Sequence, residues 1–278
     1  MPGHNTESVQ VSARRQRTAG MNSAAGRIYW WQGGSLWIGE GTGRTQWHQH
    51  HAHQLALARQ GHFRFRTEAE GKWRTFEGAL VPSHCTHQFE VDGITLAHLF
   101  VEPESRAGRA LTARFGSDAI AELPAAQARP AAATLFEALA RSPSRDTMVS
   151  AAQAAIAALC GASTETDRTL DRRLVRALEY IQANVRKPLS LAEVASAAAL
   201  SESHFRHLFV AETGSSFRAY LLWLRINLAI DTAMAGASWT EAAHAAGFAD
   251  SAHLTRTHKR MFGIEPTAVR QQPISTSM

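Results

Sequence analysis

HFRHLFVAETG at residues 204–214 and HLTRTHKRMFG at residues 253–263 are two copies of one pattern, and they decide the fold of the C-terminal region. Each copy starts with His, has an apolar residue in second place and ends with Gly. The copies lie 49 residues apart, and just upstream the run 195–200 matches the run 243–248 at a spacing of 48. The region therefore contains an internal duplication of a two-helix unit.

Each unit carries the local signals of a helix-turn-helix. Ser190 and Glu193 form the Ser-x-x-Glu pattern of a capping box at the start of the first helix. Ser201 and Asp250 are placed to cap the second helices of the two units, and Gly214 to end the first of these. The pattern predicts two helix-turn-helix units, while a helical bundle with solvated faces is the alternative.

The spacing of the two units suits a DNA site. The segment 217–235 between them predicts one helix of roughly 28 Å at 1.5 Å per residue, close to the ~34 Å repeat of the major groove. The outward faces of the second helices carry short or hydrogen-bonding groups that reach base edges. These are Ser203, Arg206 and His207 in the first unit, and Ser251, Ala252, His253 and Arg256 in the second.

Charge agrees weakly with this interpretation. Residues 168–270 carry 13 Lys+Arg against 9 Asp+Glu, whereas residues 1–167 carry 16 against 15. The basic excess thus lies in the C-terminal region, as a nucleic-acid-binding module would have it. The excess is small, so charge alone does not separate DNA-binding proteins from others.

The C-terminal region resembles the AraC family of bacterial transcription regulators. The resemblance rests on YLLWLRINLAIDTA (220–233) and AAHAAGFADSAHLTRTHKRMFGIEPTAVR (242–270). The chain keeps the family pattern at Ala243, Gly247, Phe248, Leu254, Arg256, Lys259, Gly263, Pro266 and Arg270. It departs at Ala242 (Ile in the family), His258 (Phe), Glu265 (Ser or Thr) and Val269 (Tyr or Phe). The departure at His258 places a polar ring at a core position, so we expect a less stable or less tightly docked second unit.

The resemblance implies a function and partners. It makes the outward-facing residues contacts to bases or backbone of promoter DNA, and Lys259 a contact to phosphate. It also implies a homodimer, formed through helices within residues 105–160. Activation is commoner than repression in the family, which favours an activator that works with RNA polymerase.

The N-terminal region has the sequence pattern of short strands. From Arg27 to about Val101, runs such as IYWW, SLWIG, FRFRT and ITLAHLFV alternate with Gly, Pro and Asp-Gly breaks, as in a sandwich or barrel. From Ser105 to Gly161 the chain is alanine-rich and helical. Its stripe of Val149, Ala152, Ile156 and Leu159 predicts either a dimer seam or a face packed on the chain's own barrel.

A histidine cluster, WHQHHAHQLAL at 47–57, stands within the strand-like region. If it is a strand, His48 and His50 share one face with Gln54, and His51 and His53 lie on the other. The segment from Gly43 to Gly61 is similar to the first cupin motif, with Gln54 in place of Glu. Pro82 to His87 resembles the second motif, with His84 in place of Gly. The resemblance implies a pocket formed by His48, His50, Gln54 and His87.

Three hypotheses about this pocket remain open. It senses a small organic effector; or His48, His50 and His87 bind a divalent transition metal (Zn, Fe, Mn, Ni or Cu); or the histidines are polar strand residues without a ligand. Cys85, in the same loop, is a further metal-ligand candidate. A competing class of protein is a metal-dependent cupin oxygenase or isomerase, although no general base or nucleophile stands out and the neutral Gln54 weakens a catalytic metal.

We therefore predict an α+β transcription regulator rather than an enzyme. It combines an N-terminal cupin-like β-barrel, a helical dimerisation segment and an all-α tandem helix-turn-helix. The predicted divisions are a disordered tail (1–26), the sensor barrel (27–104), the dimerisation segment (105–160), a linker (161–167), the DNA-binding domain (168–270) and a tail (271–278). No secretory signal or membrane span is expected, and the two cysteines suit a reducing cytoplasm.

Overall fold

The computed structural model describes residues 22–161 and 169–271. Its strands are β1 (Ser23–Trp31), β2 (Gly34–Arg44), β3 (His53–Ala58), β4 (Phe63–Arg66), β5 (Arg74–Phe76), β6 (Gly78–Val81), β7 (Gln88–Val101), β8 (Ala121–Glu122) and β9 (Val269–Gln271). Its helices are α1 (Arg106–Phe115), α2 (Ala125–Arg141), α3 (Arg145–Cys160), α4 (Arg172–Asn184), α5 (Leu191–Ala197), α6 (Glu202–Thr213), α7 (Phe217–Met234), α8 (Trp239–Ala245) and α9 (Ser251–Phe262). The predicted linker and tails fall largely outside the described residues, but β1 begins inside the segment predicted as an N-terminal tail.

One mixed sheet organises the N-terminal part. Its strand order is β8-β6-β3-β7-β2-β1-β9, with β4 and β5 attached to β7. Strand β4 shows the alternation expected of a half-buried strand, because Phe63 and Phe65 are buried and the two arginines face outward. Strand β6 is buried throughout. The pairs are antiparallel except β1 with β9, which run parallel. Because β9 comes from the end of the chain, the C-terminal part covers the β1 edge of the sheet.

Helices α1–α3 pack on the sheet. The stripe on α3 is used within the chain, because Ala152, Ile156 and Leu159 are buried in one core with Leu36 and Leu55 of the sheet. Fully burying a side chain such as that of Ile156 or Leu159 stabilises a fold by roughly 1.5–3 kcal/mol. Of the two predicted uses of the stripe, packing on the chain's own sheet is therefore the one observed.

The C-terminal part contains the two predicted helix-turn-helix units, α5–α6 and α8–α9. The predicted capping box of Ser190 and Glu193 is present, and Ser238 and Glu241 form the same box at the start of the second unit. Helix α7 serves both cores: Tyr220 is buried with the first unit and Ile230 with the second. The two units are therefore joined by one helix that belongs to both hydrophobic cores.

The duplicated turns share a left-handed backbone position but place different residues there. Gly247 has φ +77° between α8 and α9, and at the matching place between α5 and α6 Ala199 has φ +55°. A residue with a β-carbon is strained in this left-handed region.

The second unit has an irregularity of its own, the polar ring that the sequence places at a core position. His258 is fully buried, and its Nδ1 donates to the Ile264 carbonyl at 2.9 Å.

Candidate functional site

The two predicted reading faces lie on α6 and α9. Burial of Phe205 and Phe209 turns one side of α6 inward, as burial of Leu254 does for α9. The caps that start these helices are as predicted, with Ser201 accepting from the amide of His204 and Asp250 from the amide of His253. The candidate contacts lie on the opposite sides: Ser203, Arg206, His207, Ala252 and Arg256 are exposed, and Ser251, His253 and Lys259 are partly exposed.

Lys259 is already engaged by an acidic neighbour. Its Nζ lies 2.5 Å from Oε1 of Glu265, with both side chains partly exposed. Glu265 is one of the positions at which the chain departs from the AraC pattern. A phosphate that bound Lys259 would have to compete with this carboxylate.

The histidine cluster is only partly a strand. Strand β3 begins at His53, and before it His48 forms an isolated bridge with His87. The division of side chains between two sides is nevertheless as predicted. His48 and His50 line a cavity, whereas His51 bonds to Ser215 and the Nδ1 of His53 accepts from the amide of Ser83.

Three buried histidines converge with one nitrogen each. Carbonyl oxygens only accept, so Nδ1 must donate in each ring: His48 to Gln46 at 2.9 Å, His50 to Ala52 at 2.7 Å and His87 to Cys85 at 2.9 Å. Each Nε2 atom then has a lone pair that can bind a metal ion. In the described part of the chain these three histidines are the one cluster whose metal-binding atoms all lie within 4.8 Å of one another.

Burial keeps these rings neutral. It lowers the pKa of His48 to about 3 and that of His50 to about 4, and it holds the pKa of His87 well below its usual value. In each case a neighbouring histidine adds a smaller lowering effect. Neutral imidazole is the form that binds a metal ion.

The donor set fits a transition metal. Oε1 of Gln54 lies 2.9 Å from Nε2 of His50, so this side chain can supply an oxygen ligand beside the three imidazoles. In addition, Nε2 of His87 is buried without a hydrogen-bond partner. Cys85 is not part of this cluster, and burial raises the pKa of its thiol.

His48 and His50 lie at the polar end of a cavity of about 130 Å³, with Gln54 beside them, whereas His87 is not among the residues that line it. His98, which fits no sequence motif, also lines it and lies 2.8 Å from the Gln54 amide. Much of the wall is apolar, and part of it comes from the C-terminal half: Met234, Phe262, Ile264 and Val269. The cavity therefore lies between the sheet and the helix-turn-helix units, a position that only the tertiary structure reveals.

Comparison with known proteins agrees with the C-terminal fold. A family model described as a helix-turn-helix domain matches residues 194–272. An uncharacterized HTH-type transcriptional regulator, YidL of Escherichia coli, is 31% identical over 99 residues, 35% of this chain and 33% of that protein. The C-terminal region is an AraC-type helix-turn-helix domain. The probable transcriptional regulator LumQ of Photobacterium leiognathi is 30% identical over 89 residues, 32% of this chain and 36% of that protein.

These alignments span about a third of the length of each relative, so they speak for the AraC-type domain alone. Likeness over most of the chain comes from structure. Apo ToxT of Vibrio cholerae has a TM-score of 0.58 at 10% identity and covers 87% of this chain and 97% of its own. ToxT with an unsaturated fatty acid bound has a TM-score of 0.53 at 9% identity, covering 84% of this chain and 92% of its own. At this identity the likeness shows a shared fold.

Among the described residues, no helix is both long enough and apolar enough to cross a bilayer.

Proposed function

We propose that this protein is a cytoplasmic transcription regulator that binds promoter DNA and responds to a signal in the cavity beside His48 and His50. The observation that carries the proposal is the composition of the cavity wall. One side belongs to the sheet, and the other, with Phe262 and Ile264, belongs to the AraC-type domain. A ligand there contacts both parts, so its binding energy depends on how they sit together.

We assign DNA recognition to the exposed sides of α6 and α9. Arg206 and Arg256 are the strongest candidates, because arginine forms paired hydrogen bonds to guanine in the major groove. Each good base contact contributes ~1–3 kcal/mol. The two faces are completed by Ser203, His207, Ser251, Ala252 and His253, and Lys259 is assigned to phosphate.

The test of DNA recognition uses duplexes that the wild-type protein selects from random sequence. Arg206→Ala and Arg256→Ala should each weaken binding about 5- to 100-fold and relax the sequence preference of one half of the site. Arg141→Ala, an exposed substitution at the end of α2, is the control. Unchanged affinity in both arginine variants would refute these reading faces.

We assign the signal to a small, largely apolar molecule whose polar end lies at the histidines. His48, His50 and His87, with Gln54 beside them, would hold a divalent transition metal there, and the metal would supply a Lewis-acid anchor for that polar end. By analogy with ToxT, a fatty acid is the first organic effector to test.

Metal content distinguishes a site that holds a metal ion from one that binds only an organic molecule. Protein purified without an affinity tag should contain near-stoichiometric metal, and His48→Ala/His50→Ala should lose it. His62→Ala changes a histidine that lies outside the cavity beside Glu77 and should retain the metal. Absence of metal from the wild type would leave the organic molecule as the sole signal.

We also propose that the regulator is a homodimer and an activator that works with RNA polymerase. The α3 stripe is buried within the chain, so the dimer would use other surfaces of α1–α3. Sedimentation of the full chain at several concentrations tests the assembly. Transcription from a selected promoter, with and without the protein, tests the activation.

A further inference from the structure

We infer that His84 is a positioning residue, part of a latch that holds the AraC-type domain against the sheet. The latch comprises four residues, His84, Ser215, His51 and Glu104. Ser215 belongs to the AraC-type domain, between α6 and α7, and the other three belong to the N-terminal part. The inference concerns regulation and therefore rests on the proposed function.

The four side chains form a continuous hydrogen-bonded chain. Nε2 of His84 lies 2.8 Å from Oγ of Ser215, which lies 2.9 Å from Nδ1 of His51. Nε2 of His51 in turn lies 2.9 Å from Oε2 of Glu104. Ser215, His51 and Glu104 are each 3% exposed, so water does not compete for the two bonds among them, and His84 is partly buried.

The end of the latch at Glu104 has a defined direction. A carboxylate oxygen only accepts, so Nε2 of His51 donates to Oε2 of Glu104. The Ser215 hydroxyl has one hydrogen, so it donates to one of its two imidazole partners and accepts from the other. Ser215 is thus held between two side chains of the N-terminal part.

The backbone of His84 points to the same conclusion. Its φ is +60°, in the left-handed region where a residue with a β-carbon is strained. The cupin-like motif has Gly at this position, which would carry no such strain. The side chain that makes the strain unavoidable is the one that reaches Ser215. An observed backbone outlier of this kind is a reason to assign a role to its side chain.

The latch is connected to the cavity through the main chain. The amide of His84 donates to the carbonyl of His50 at 2.9 Å, and His51 follows His50 directly. His87, in the same loop as His84, pairs with the backbone of His48. A ligand that moves His48 or His50 therefore acts on both partners of Ser215. This gives the signal a route to the AraC-type domain.

The experiment is a double-mutant cycle on the full chain with His84→Gly, Ser215→Ala and the combination. Amide hydrogen exchange around residues 213–220 should be about fivefold to tenfold faster than in the wild type in each single variant. The double variant should exchange no faster than either single variant. His84→Gly should not lower the thermal midpoint, because Gly relieves the strain. His84→Asn, which tolerates the same φ but is shorter, should match His84→Gly in exchange. Ala199→Gly relieves a similar strain away from the interface and should leave this exchange unchanged.

Binding to the selected duplex then tests regulation. Loss of the latch should change the affinity of His84→Gly by about fivefold or more relative to the wild type. Additive exchange effects, or no change in exchange, would overturn the latch. Faster exchange with unaltered DNA affinity would overturn its regulatory role. Failure of the proposed function is recognised separately, because Arg206→Ala and Arg256→Ala would then bind DNA like the wild type whatever the latch variants do.

Discussion

Gly263 at the end of α9 lies directly against His48 at the edge of the cavity. A β-carbon at position 263 would lie 2.6 Å from Nδ1 of His48 and 2.5 Å from the carbonyl oxygen of Gln46. The amide of Gln46 also donates to the carbonyl of Gly263 at 2.7 Å. The end of one proposed recognition helix is therefore in contact with a proposed ligand residue.

Gly263→Ala should destabilise the protein more than the same change at the end of α6. Gly263 and Gly214 both end helices in the left-handed conformation, with φ +69° and +67°. At Gly214 a β-carbon would meet nothing closer than His84 at 3.9 Å. Both variants should lose roughly 1–2 kcal/mol to backbone strain, and Gly263→Ala a further ~1–3 kcal/mol to overpacking. Chemical denaturation measures the difference, and equal losses would contradict the close contact.

Ala199→Gly should stabilise the first helix-turn-helix unit. Its φ of +55° is strained for Ala, and the duplicated position already holds Gly247. We expect a gain of ~0.5–1 kcal/mol in the free energy of unfolding, because relief of strain exceeds the added entropy of the unfolded chain. The reverse change, Gly247→Ala, should cost stability, since its β-carbon would also meet Arg225 at 3.2 Å. A loss on Ala199→Gly would show that the turn is not strained.

Glu265→Ser should strengthen DNA binding and steepen its salt dependence. The change removes the carboxylate 2.5 Å from Lys259 and restores a residue type of the AraC pattern. Freeing one phosphate contact should raise the slope of log affinity against log salt by about 0.9. The matched background is Lys259→Ala, in which adding Glu265→Ser should leave the slope unchanged. An equal rise in both backgrounds would mean that Lys259 does not contact phosphate.

Glu102→Gln should stabilise the protein increasingly as the pH rises. Burial raises the pKa of Glu102 to about 7, and the nearby Glu104 carboxylate adds to the shift. Between pH 4.5 and 7 the folded protein keeps this proton while the unfolded chain loses it, so wild-type stability falls as the pH rises through that window. The glutamine variant resembles the protonated form and can still accept from Nε1 of Trp223.

Thermal unfolding of Glu102→Gln and the wild type should coincide near pH ~4. The variant should be more stable by ~1–3 kcal/mol at about pH 8. Glu122→Gln, an exposed substitution on β8, is the control for loss of a negative charge and should show no such pH-dependent gain. A constant difference across the pH range would rule out the raised pKa.

The tandem helix-turn-helix was predictable because its signals are local. Capping residues such as Ser190 and Asp250 act on amides within one turn, and the spacing of Phe205 and Phe209 fixes the buried side of α6 through the helical period. The duplication supplied a second, independent copy of the same signals. The grouping of His48, His50 and His87 was expected from the resemblance to the two cupin motifs rather than from strand alternation, because β3 begins only at His53.

Contacts between distant segments were decided by the tertiary structure alone. Nothing near Ser215 or His84 in the sequence indicates that they meet, 131 residues apart, since hydrogen bonds between domains leave no periodic pattern. The same is true of β9, which pairs with β1, and of Phe262, which helps to enclose the cavity. The sequence by itself determined the helix-turn-helix units, because local hydrogen bonding and periodicity encode them, and it indicated the histidine cluster through its resemblance to a known motif. The tertiary structure decided how the two are coupled, because that depends on packing between parts of the chain that are far apart in sequence.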